Sequence, residues 1–469
     1  MFNYRYKSTI SPMHDMNHLY WRAGFGLSPE TWQQRKDWSR KKAVDQLFKQ
    51  AKKANPLPIP VVPDLRQMGK LTQEERDEIR KQDRAAVINI NSSWVLRMAD
   101  PKEAALLERM TLFWHGHFAC RSRSGKLAAQ QLNTLRKHAL GDFRSLLLGI
   151  AQDPSMIRYL NNQQNKKKSP NENFAREVME LFTMGRGHYT EQDIKEAARA
   201  FTGWSSTSTG DFIFRERVHD TGTKTFLGKT GHFGGEDIID LLLEQRATAD
   251  FITRKIYRYF VNPKIDEQEV SYLSQQFYDS NYDIEKLMHL IFSSESFYAA
   301  RNKGSKIKSP VEFLAGMIKT LGLTLEDERS VLFLQRALGQ VLFDPPNVAG
   351  WPGDKNWIDN ATLMLRLNIA QSIVGATAFN FREKAGLEDR KRAMSRKKIE
   401  AKSNIQPLIQ LAEGRSNSED IEDLAAYLLL AETKIKPELI EQYSPVQNRE
   451  AALTLYSLRL MSLPEYQMC

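Results

Sequence analysis

Two glutamates on one predicted helix are the residues best placed to do chemistry. The segment NENFAREVMELFTMG (171–185) repeats apolar residues at helical spacing, and Glu177 projects at the margin of that apolar face. Glu180 follows one turn later. Because a carboxylate beside an apolar stripe must be paired, protonated or bound to a cation, we predict that Glu177 and Glu180 are catalytic, either in acid–base work or around a divalent metal. The alternative is an ordinary ion pair between Glu177 and Arg176 or Arg199.

Two loops that carry histidine follow this helix. His188 lies in the first loop, near Glu180 in the expected hairpin, and is predicted as a metal ligand together with Glu177. His219 directly precedes Asp220, and a carboxylate beside an imidazole can orient it or bind a metal with it. We therefore predict that His219 and Asp220 are catalytic.

A second pair of histidines, His115 and His117 in FWHGHF, is predicted to join the metal site. In a continuous helix, residues two apart point about 200° away from each other, so these imidazoles can share an ion only if Gly116 breaks the helix. Their spacing matches neither zinc proteases nor zinc fingers. The alternative is that at least one of them packs in the core beside Trp114 and Phe118. A divalent metal is the cofactor that these residues predict, without identifying the ion.

The other predicted binding residues are two cations and two tryptophans. Arg176 and Lys224 lie inside the glutamate and histidine motifs. Trp351 belongs to the rigid loop DPPNVAGWPG (344–353), and Trp357 follows it. Exposed tryptophans could stack on sugar rings or cations, whereas buried ones would make the loop a cap over a helix junction. The general burial of large aromatic side chains favours the cap.

Helical periodicity dominates the elements that must position these residues. Asn171 is placed as an N-cap and Gly185 as the residue that ends the first helix, while Thr190–Asp193 forms a capping box for the second. The two helices together predict an αα-hairpin. Helices are predicted at 40–53, 72–98, 126–139, 143–151, 172–184, 190–203, 236–244, 247–260, 266–278, 283–292, 309–321, 327–342 and 360–379.

One stretch departs from the helical pattern. DFIFRERV alternates like a strand, and TKTFLG can return beside it with His219–Gly222 as the turn. We therefore predict a mainly α fold, a multi-helix globular body with a small β-hairpin insertion near 211–228. Residues 1–380 would form the main helical body that carries the motifs, 381–404 a charged helix or linker, and 405–469 C-terminal helices that pack back on the body.

The composition is that of a soluble protein with a modest basic excess. The 469 residues include 67 Lys and Arg against 57 Asp and Glu, a formal net charge of +10. Such an excess needs a focused patch before it can hold an anionic partner such as an acidic glycan or an anionic lipid, and no nucleic-acid recognition motif is evident. Two cysteines exclude a disulfide framework. With no apolar signal segment and no run of about 18 apolar residues, we predict no transmembrane segment and a cytoplasmic location by default.

Several motifs, in order along the chain, resemble those of the bacterial family named domain of unknown function 1800 (DUF1800). They are HLYWRAGFGLSPE (18–30), MTLFWHGHF (110–118), the block 171–204, HDTGTKTFLG (219–228), FITRKIYRYFV (251–261), PPNVAGWPG (345–353) and LMSLPEYQ (460–467). The resemblance covers essentially the whole chain. It implies a mainly helical fold without an established activity, an extracytoplasmic location for many members, and a sulfatase-like partner protein. This sequence departs from that pattern because it lacks a recognisable export signal.

Two hypotheses of function follow. The first is a metal-assisted or acid–base enzyme of hydrolase type, built on the carboxylate and histidine site. The alternative is a non-catalytic scaffold or partner protein in an envelope or polysaccharide-related system, with an anionic glycan as the expected ligand. Convergence of the glutamates and histidines on one cavity would favour the enzyme, and separate ion pairs would favour the scaffold.

Overall fold

The computed structural model describes residues 12–60, 71–377, 379–381, 395–412, 416–431, 433–442 and 448–469. Helices dominate these ranges, as predicted. They are α1 Pro12–Arg22, α2 Pro29–Arg35, α3 Arg40–Ala51, α4 Gln73–Ala99, α5 Ala105–His117, α6 Gly125–His138, α7 Phe143–Ala151, α8 Pro154–Tyr159, α9 Asn173–Glu177, α10 Glu191–Ala200, α11 Gly235–Leu243, α12 Arg246–Phe260, α13 Glu267–Asp279, α14 Ile284–Ser293, α15 Pro310–Thr320, α16 Arg329–Leu338, α17 Asn360–Val374, α18 Gln406–Ile409, α19 Asn417–Leu428, α20 Pro437–Gln442 and α21 Arg449–Met461.

Local capping explains where several of these helices begin. Thr72 and Thr190 start α4 and α10 with the predicted capping boxes, in which the hydroxyl accepts a hydrogen bond from the third helical residue. Ser309 does the same for α15, where the reciprocal partner is Glu312. Such boxes satisfy two of the backbone N–H groups that a helix leaves free at its start. Short polar signals in the sequence therefore set these helix starts.

The strands are short and lie between or after the helices. They are β1 Trp204–Ser206, β2 Phe212–Phe214, β3 Lys224–Phe226, β4 Lys229–Gly231, β5 Leu323–Leu325, β6 Phe379–Phe381, β7 Ser395–Lys397 and β8 Ala401–Ser403. In the described part of the chain they form four antiparallel pairs, β1–β2, β3–β4, β5–β8 and β6–β7. The mainly α fold with small hairpins is thus confirmed.

The predicted pairing inside the insertion is wrong. The strand containing Phe212–Phe214 pairs with Trp204–Ser206 rather than with Lys224–Phe226, so two hairpins stand where one was expected. The reason is turn chemistry. Leu227 and Gly228 have φ of 46° and 78°, and two successive residues of positive φ make the tight turn that folds β3 back onto β4. The His219–Gly222 segment is therefore a connection between the two hairpins.

One continuous apolar core runs from the N-terminal helices to the C-terminal ones. The Tyr427 hydroxyl of α19 donates to the carbonyl of Leu27 at 2.7 Å, and Asn17 of α1 donates to the carbonyl of Ala426 at 2.9 Å. These contacts place α19 against the N-terminal helices. Most of the predicted charged segment, 382–394, lies outside the described residues, so the division into three parts stays a prediction.

The longest described helix, α4, spans 27 residues and opens with the charged run QEERDEIRKQDR. No helix among the described residues is both long and apolar enough to cross a membrane.

Candidate functional site

The predicted αα-hairpin positions Glu177 and Glu180, but its first helix changes its winding. After α9, residues 178–183 form a π-helical turn, in which the N–H of Met184 donates to the carbonyl of Met179 at 3.0 Å. The Thr183 hydroxyl donates to the carbonyl of Val178 at 2.7 Å and so satisfies a carbonyl in the widened turn. Single π-turns occur often at functional sites. Here Glu177 is the last residue of α9, and Glu180 lies inside the π-helical turn.

Glu177 is a half-buried carboxyl group without a partner of its own. It makes no hydrogen bond or ion pair with any residue that the structure describes. Burial raises its pKa, and the charge of Glu180 raises it further. Neither predicted partner binds it, because Arg176 pairs with Glu191 at 2.7 Å and Arg199 pairs with Asp220 at 2.8 Å. Glu177 therefore holds its proton more tightly than an ordinary glutamate does.

Glu180 stands in a different environment one turn later. Its carboxylate accepts hydrogen bonds from Nε of Arg186 at 2.5 Å and from the Tyr189 hydroxyl at 3.2 Å. Burial, with the nearby charge of Glu180, raises the pKa of Tyr189 to about 12. The hairpin loop thus fixes Glu180 as a hydrogen-bonded carboxylate beside Glu177. Two neighbouring carboxyl groups in unlike environments are the usual basis for dividing the roles of acid and base.

Tyr159, which the sequence did not single out, interacts electrostatically both with Glu177 and with the Arg121–Asp344 pair. Burial raises the pKa of Tyr159, Cys120, Asp344 and Glu177 add to that rise, and Arg121 opposes it. Nε of Arg121 forms an ion pair with Asp344 at 2.7 Å. The half-buried phenol of Tyr159, at the end of α8, therefore shares one electrostatic neighbourhood with Glu177 and the Arg121–Asp344 pair. We call Tyr159, Glu177, Glu180, Arg121 and Asp344 the acidic site.

His115 does not reach this site as a ligand. Helix α5 runs unbroken through Gly116, so the predicted break that would bring His115 and His117 together does not occur. Nε2 of His115 accepts a hydrogen bond from the N–H of Phe343 at 3.1 Å, and its ring packs 5.5 Å from that of Trp351. Burial lowers its pKa to about 3. His115 is therefore a neutral core histidine, whereas the packing beside Trp114 and Phe118 that the alternative interpretation described is that of His117.

His117 is also committed to the protein itself. Its Nε2 lies 3.1 Å from the carbonyl oxygen of Phe182, which can only accept, so Nε2 carries the proton. Nδ1 is then free to accept from the Lys255 ammonium at 3.2 Å. Burial, with the charge of Lys255, holds the pKa of His117 well below its usual range. Both ring nitrogens are engaged, which leaves no lone pair for a metal.

The residues predicted as metal ligands are not gathered into one set. His188 is exposed, and it forms no hydrogen bond, ion pair or ring contact with a residue that the structure describes. Among the residues with described positions, no three of the types His, Cys, Asp and Glu come close enough to hold one ion.

His219 and Asp220 are adjacent in sequence but do not form the predicted pair. Nδ1 of His219 donates to the carbonyl of Thr202 at 2.8 Å, while the Asp220 carboxylate accepts from Arg199 at 2.8 Å and from the N–H of Gly222 at 2.9 Å. The carbonyl of Thr202, and not Asp220, orients the imidazole. Hydrogen bonding to Arg199 lowers the pKa of Asp220.

The loop of residues 219–224, which we call the histidine loop, lies apart from the acidic site. Tyr189, which binds Glu180, precedes α10, and Thr202, which binds His219, follows it. A helix of ten residues is about 15 Å long, so the two sets of side chains lie at opposite ends of it. Lys224 belongs to the histidine loop, where its buried ammonium donates to the carbonyls of Asp220 at 2.6 Å and Gly222 at 3.0 Å.

The proline-rich loop covers the end of α5. Gly350 has φ of 85°, and a Cβ atom there would lie 2.5 Å from the carbonyl oxygen of Gly116, so the contact requires glycine. Trp357 is buried, whereas Trp351 is partly exposed beside His115. Burial removes Trp357 as a stacking surface. Trp351 is the one of the two tryptophans whose ring is accessible to a ligand.

Replacing Glu177 with glutamine is expected to leave the free energy of unfolding unchanged or raise it by up to about 1 kcal/mol, because the folded state no longer holds an unpaired carboxyl beside Glu180. Urea unfolding at neutral pH measures the change. Glu191→Gln is the matched control on the same hairpin, and loss of its exposed ion pair should cost less than about 1 kcal/mol. A loss of about 3 kcal/mol or more in Glu177→Gln would show that Glu177 is half of a structural ion pair.

Comparison with known proteins places the whole chain in one family. The family model described as protein of unknown function (DUF1800) matches residues 18–468. No curated protein matches the chain, and no solved structure does.

Proposed function

We propose that this chain, which belongs to the DUF1800 family of proteins of unknown function, is an acid–base enzyme of hydrolase type. Its proton-transfer group would be Glu177. One observation carries the proposal: Glu177 is a half-buried carboxyl group with a raised pKa and no described ion-pair partner, beside a second carboxylate that does have partners. An acid catalyst needs a pKa close to the working pH, and burial with a like charge nearby is how proteins raise that of a glutamate.

The chemistry assigned to the acidic site is protonation of a leaving oxygen. Protonated Glu177 donates its proton to the oxygen of the bond that breaks, and Glu180, the second carboxylate, takes a proton from the attacking water. The Tyr159 hydroxyl can donate a hydrogen bond to the substrate, because it forms no hydrogen bond with any residue that the structure describes. Arg121 provides positive charge on the same side as Asp344. The substrate class is therefore a compound with an ester, phosphoester or glycosidic oxygen.

A metal-assisted form of the proposal uses the same residues. Glu177 and Glu180 would be the carboxylate ligands of a divalent cation, and the ion would polarise the bond that breaks. Metal analysis of the purified protein, compared with that of Glu177→Gln, tests this form. Stoichiometric metal that is lost in the variant supports it, and metal-free protein that retains activity rejects it.

The acid role is tested by leaving-group dependence. On a panel of hydrolase substrates, Glu177→Gln should lose about 10²–10⁴-fold in rate with alkoxide leaving groups and much less with p-nitrophenolate, which leaves without a proton. Tyr159→Phe should weaken the same reaction, and Glu191→Gln should leave it unchanged. Equal losses for good and poor leaving groups, or no hydrolysis of any class by the wild-type protein, would contradict the proposal.

A scaffold or partner protein is the second candidate, because much of the predicted site is satisfied from within. Glu180, Asp220, Lys224 and His117 all have partners inside the protein, as expected of structural residues. In this case a sulfatase-like protein or an anionic glycan would be the ligand, with Trp351 as the stacking surface. Titration calorimetry with each ligand tests it. A Trp351→Ala variant that binds as well as the wild type would reject the glycan.

A further inference from the structure

A strongly basic surface lies beside the first hairpin, away from the acidic site. The loop Lys166–Ser169 is joined to the turn after β2, where the N–H of Lys167 donates to the carbonyl of Val218 at 2.9 Å. The N–H of Arg215 donates to the carbonyl of Gly203 at 2.8 Å. These backbone bonds bring two segments that are distant in sequence to one face of the molecule.

The cations of this surface are free of partners. Its members are the exposed side chains of Lys166, Lys167, Lys168, Arg215 and Arg217. None of them forms an ion pair or a side-chain hydrogen bond with a residue that the structure describes. Glu216 is the one carboxylate within the two segments. Arginines elsewhere, such as Arg144 and Arg254, are paired with acids, so these five cations are a focus of unneutralised charge.

Two exposed apolar side chains lie in β2, the strand that directly precedes Arg215. Ile213 is 39% exposed and Phe214 is 46% exposed. As successive residues of β2 they point to opposite faces of the hairpin, and the Phe214 ring lies 5.1 Å from that of His219. Ile213 is therefore the one that can share a face with Arg215, two residues further on. The other large apolar side chains exposed to this extent in the described ranges are isolated on different elements, namely Ile59, Tyr272, Leu290, Met364 and Leu439. We call the five cations together with Ile213 the basic face.

We propose that the basic face docks the protein on an anionic lipid surface. Lys and Arg side chains gain energy near anionic headgroups, and exposed apolar side chains gain by entering the boundary between headgroups and acyl chains. The exposure of Ile213 favours a lipid surface over a soluble polyanion. A branched aliphatic side chain offers no flat face for stacking on a base or a sugar ring, but it does bury apolar area in lipid. The proposal is independent of the acid–base role, since it shares no residue with the acidic site.

Vesicle cosedimentation with the full chain tests the docking. Phosphatidylcholine vesicles with and without phosphatidylserine are compared, and binding is expected only with phosphatidylserine. Replacing Lys166, Lys167 and Lys168 by glutamine should weaken the binding about a hundredfold, since each cation near such a surface contributes about fivefold. Ile213→Ser should weaken it about tenfold while the cations remain.

Matched variants separate the basic face from net charge. Glutamine at Lys137, Lys195 and Lys264, three exposed lysines on separate elements, makes the same charge change and should leave vesicle binding unchanged. Equal weakening by both triple variants, or no binding to phosphatidylserine vesicles, would overturn the proposal. So would binding to single-stranded DNA or a sulfated glycan that depends on the three lysines, with no vesicle binding and no effect of Ile213→Ser. Thermal unfolding of every variant confirms that the fold is intact.

Discussion

Replacing Glu312 with glutamine is expected to destabilise the protein by about 3–5 kcal/mol, the usual cost of breaking a buried ion pair from one side. Glu312 is completely buried in α15, where it binds Nη1 of Arg109 at 2.8 Å and the Lys306 ammonium at 2.7 Å. Burial by itself would raise the pKa of Glu312, but the charges of Arg109 and Lys306 outweigh it and hold the pKa well below the usual range. Glutamine keeps the volume and an acceptor for the N–H of Ser309, so the lost charge dominates the effect.

Denaturant unfolding at neutral pH measures this change. Glu267→Gln is the control, because Glu267 also pairs with an arginine, Arg254, but is 70% exposed. Exposed ion pairs contribute less than about 1 kcal/mol, so the control should unfold close to the wild type. If Glu312→Gln costs no more than Glu267→Gln, the buried cations do not depend on Glu312.

The fold could be predicted largely from short-range signals. Thr72 and Thr190 begin helices as their capping boxes indicate, and Gly185 ends the first helix of the hairpin with φ of 74°. The hairpin pairing could not be predicted in this way. Alternation of apolar and polar residues alone predicts the wrong partner for β2. The positive φ of Leu227 and Gly228 forms the tight turn that pairs β3 with β4. The π-helical turn also gave no periodic signal, since it shifts the register by only one residue.

The candidate site was predictable in part, because only part of it is local. Glu177 was identified from its place beside an apolar helix face, which is a property of the helix itself. Tyr159, Arg121 and Asp344 come from other elements, and the packing of α8 brings Tyr159 close enough to interact with both Glu177 and the Arg121–Asp344 pair. Arg121 and Asp344 nevertheless border the quoted motifs FWHGHF and PPNVAGWPG. The motifs therefore indicated these two segments, but the sequence does not show that the segments contact each other.

Acidification from about pH 7 to about pH 5 is expected to lower the free energy of unfolding by about 3 kcal/mol in total, most of it below about pH 6. Burial is the main cause that lowers the pKa of His18, His115 and His117 in the folded protein, that of His115 to about 3. Below about pH 6.5 each histidine therefore takes up a proton only on unfolding, which favours the unfolded state by about 1.4 kcal/mol per pH unit. Asp153 opposes one of them, because burial raises its pKa to about 7 and it takes up its proton when folded.

Single histidine variants resolve the individual contributions to this pH dependence. In His115→Asn, the slope of unfolding free energy against pH should fall by about 1.4 kcal/mol per unit between about pH 6 and 5, because one proton is no longer taken up on unfolding. Asp153→Asn should make the slope steeper, since the opposing proton is removed. A parallel shift of the whole curve in His115→Asn, with its slope unchanged, would mean that His115 is already protonated in the folded protein, which its position as acceptor for the N–H of Phe343 argues against.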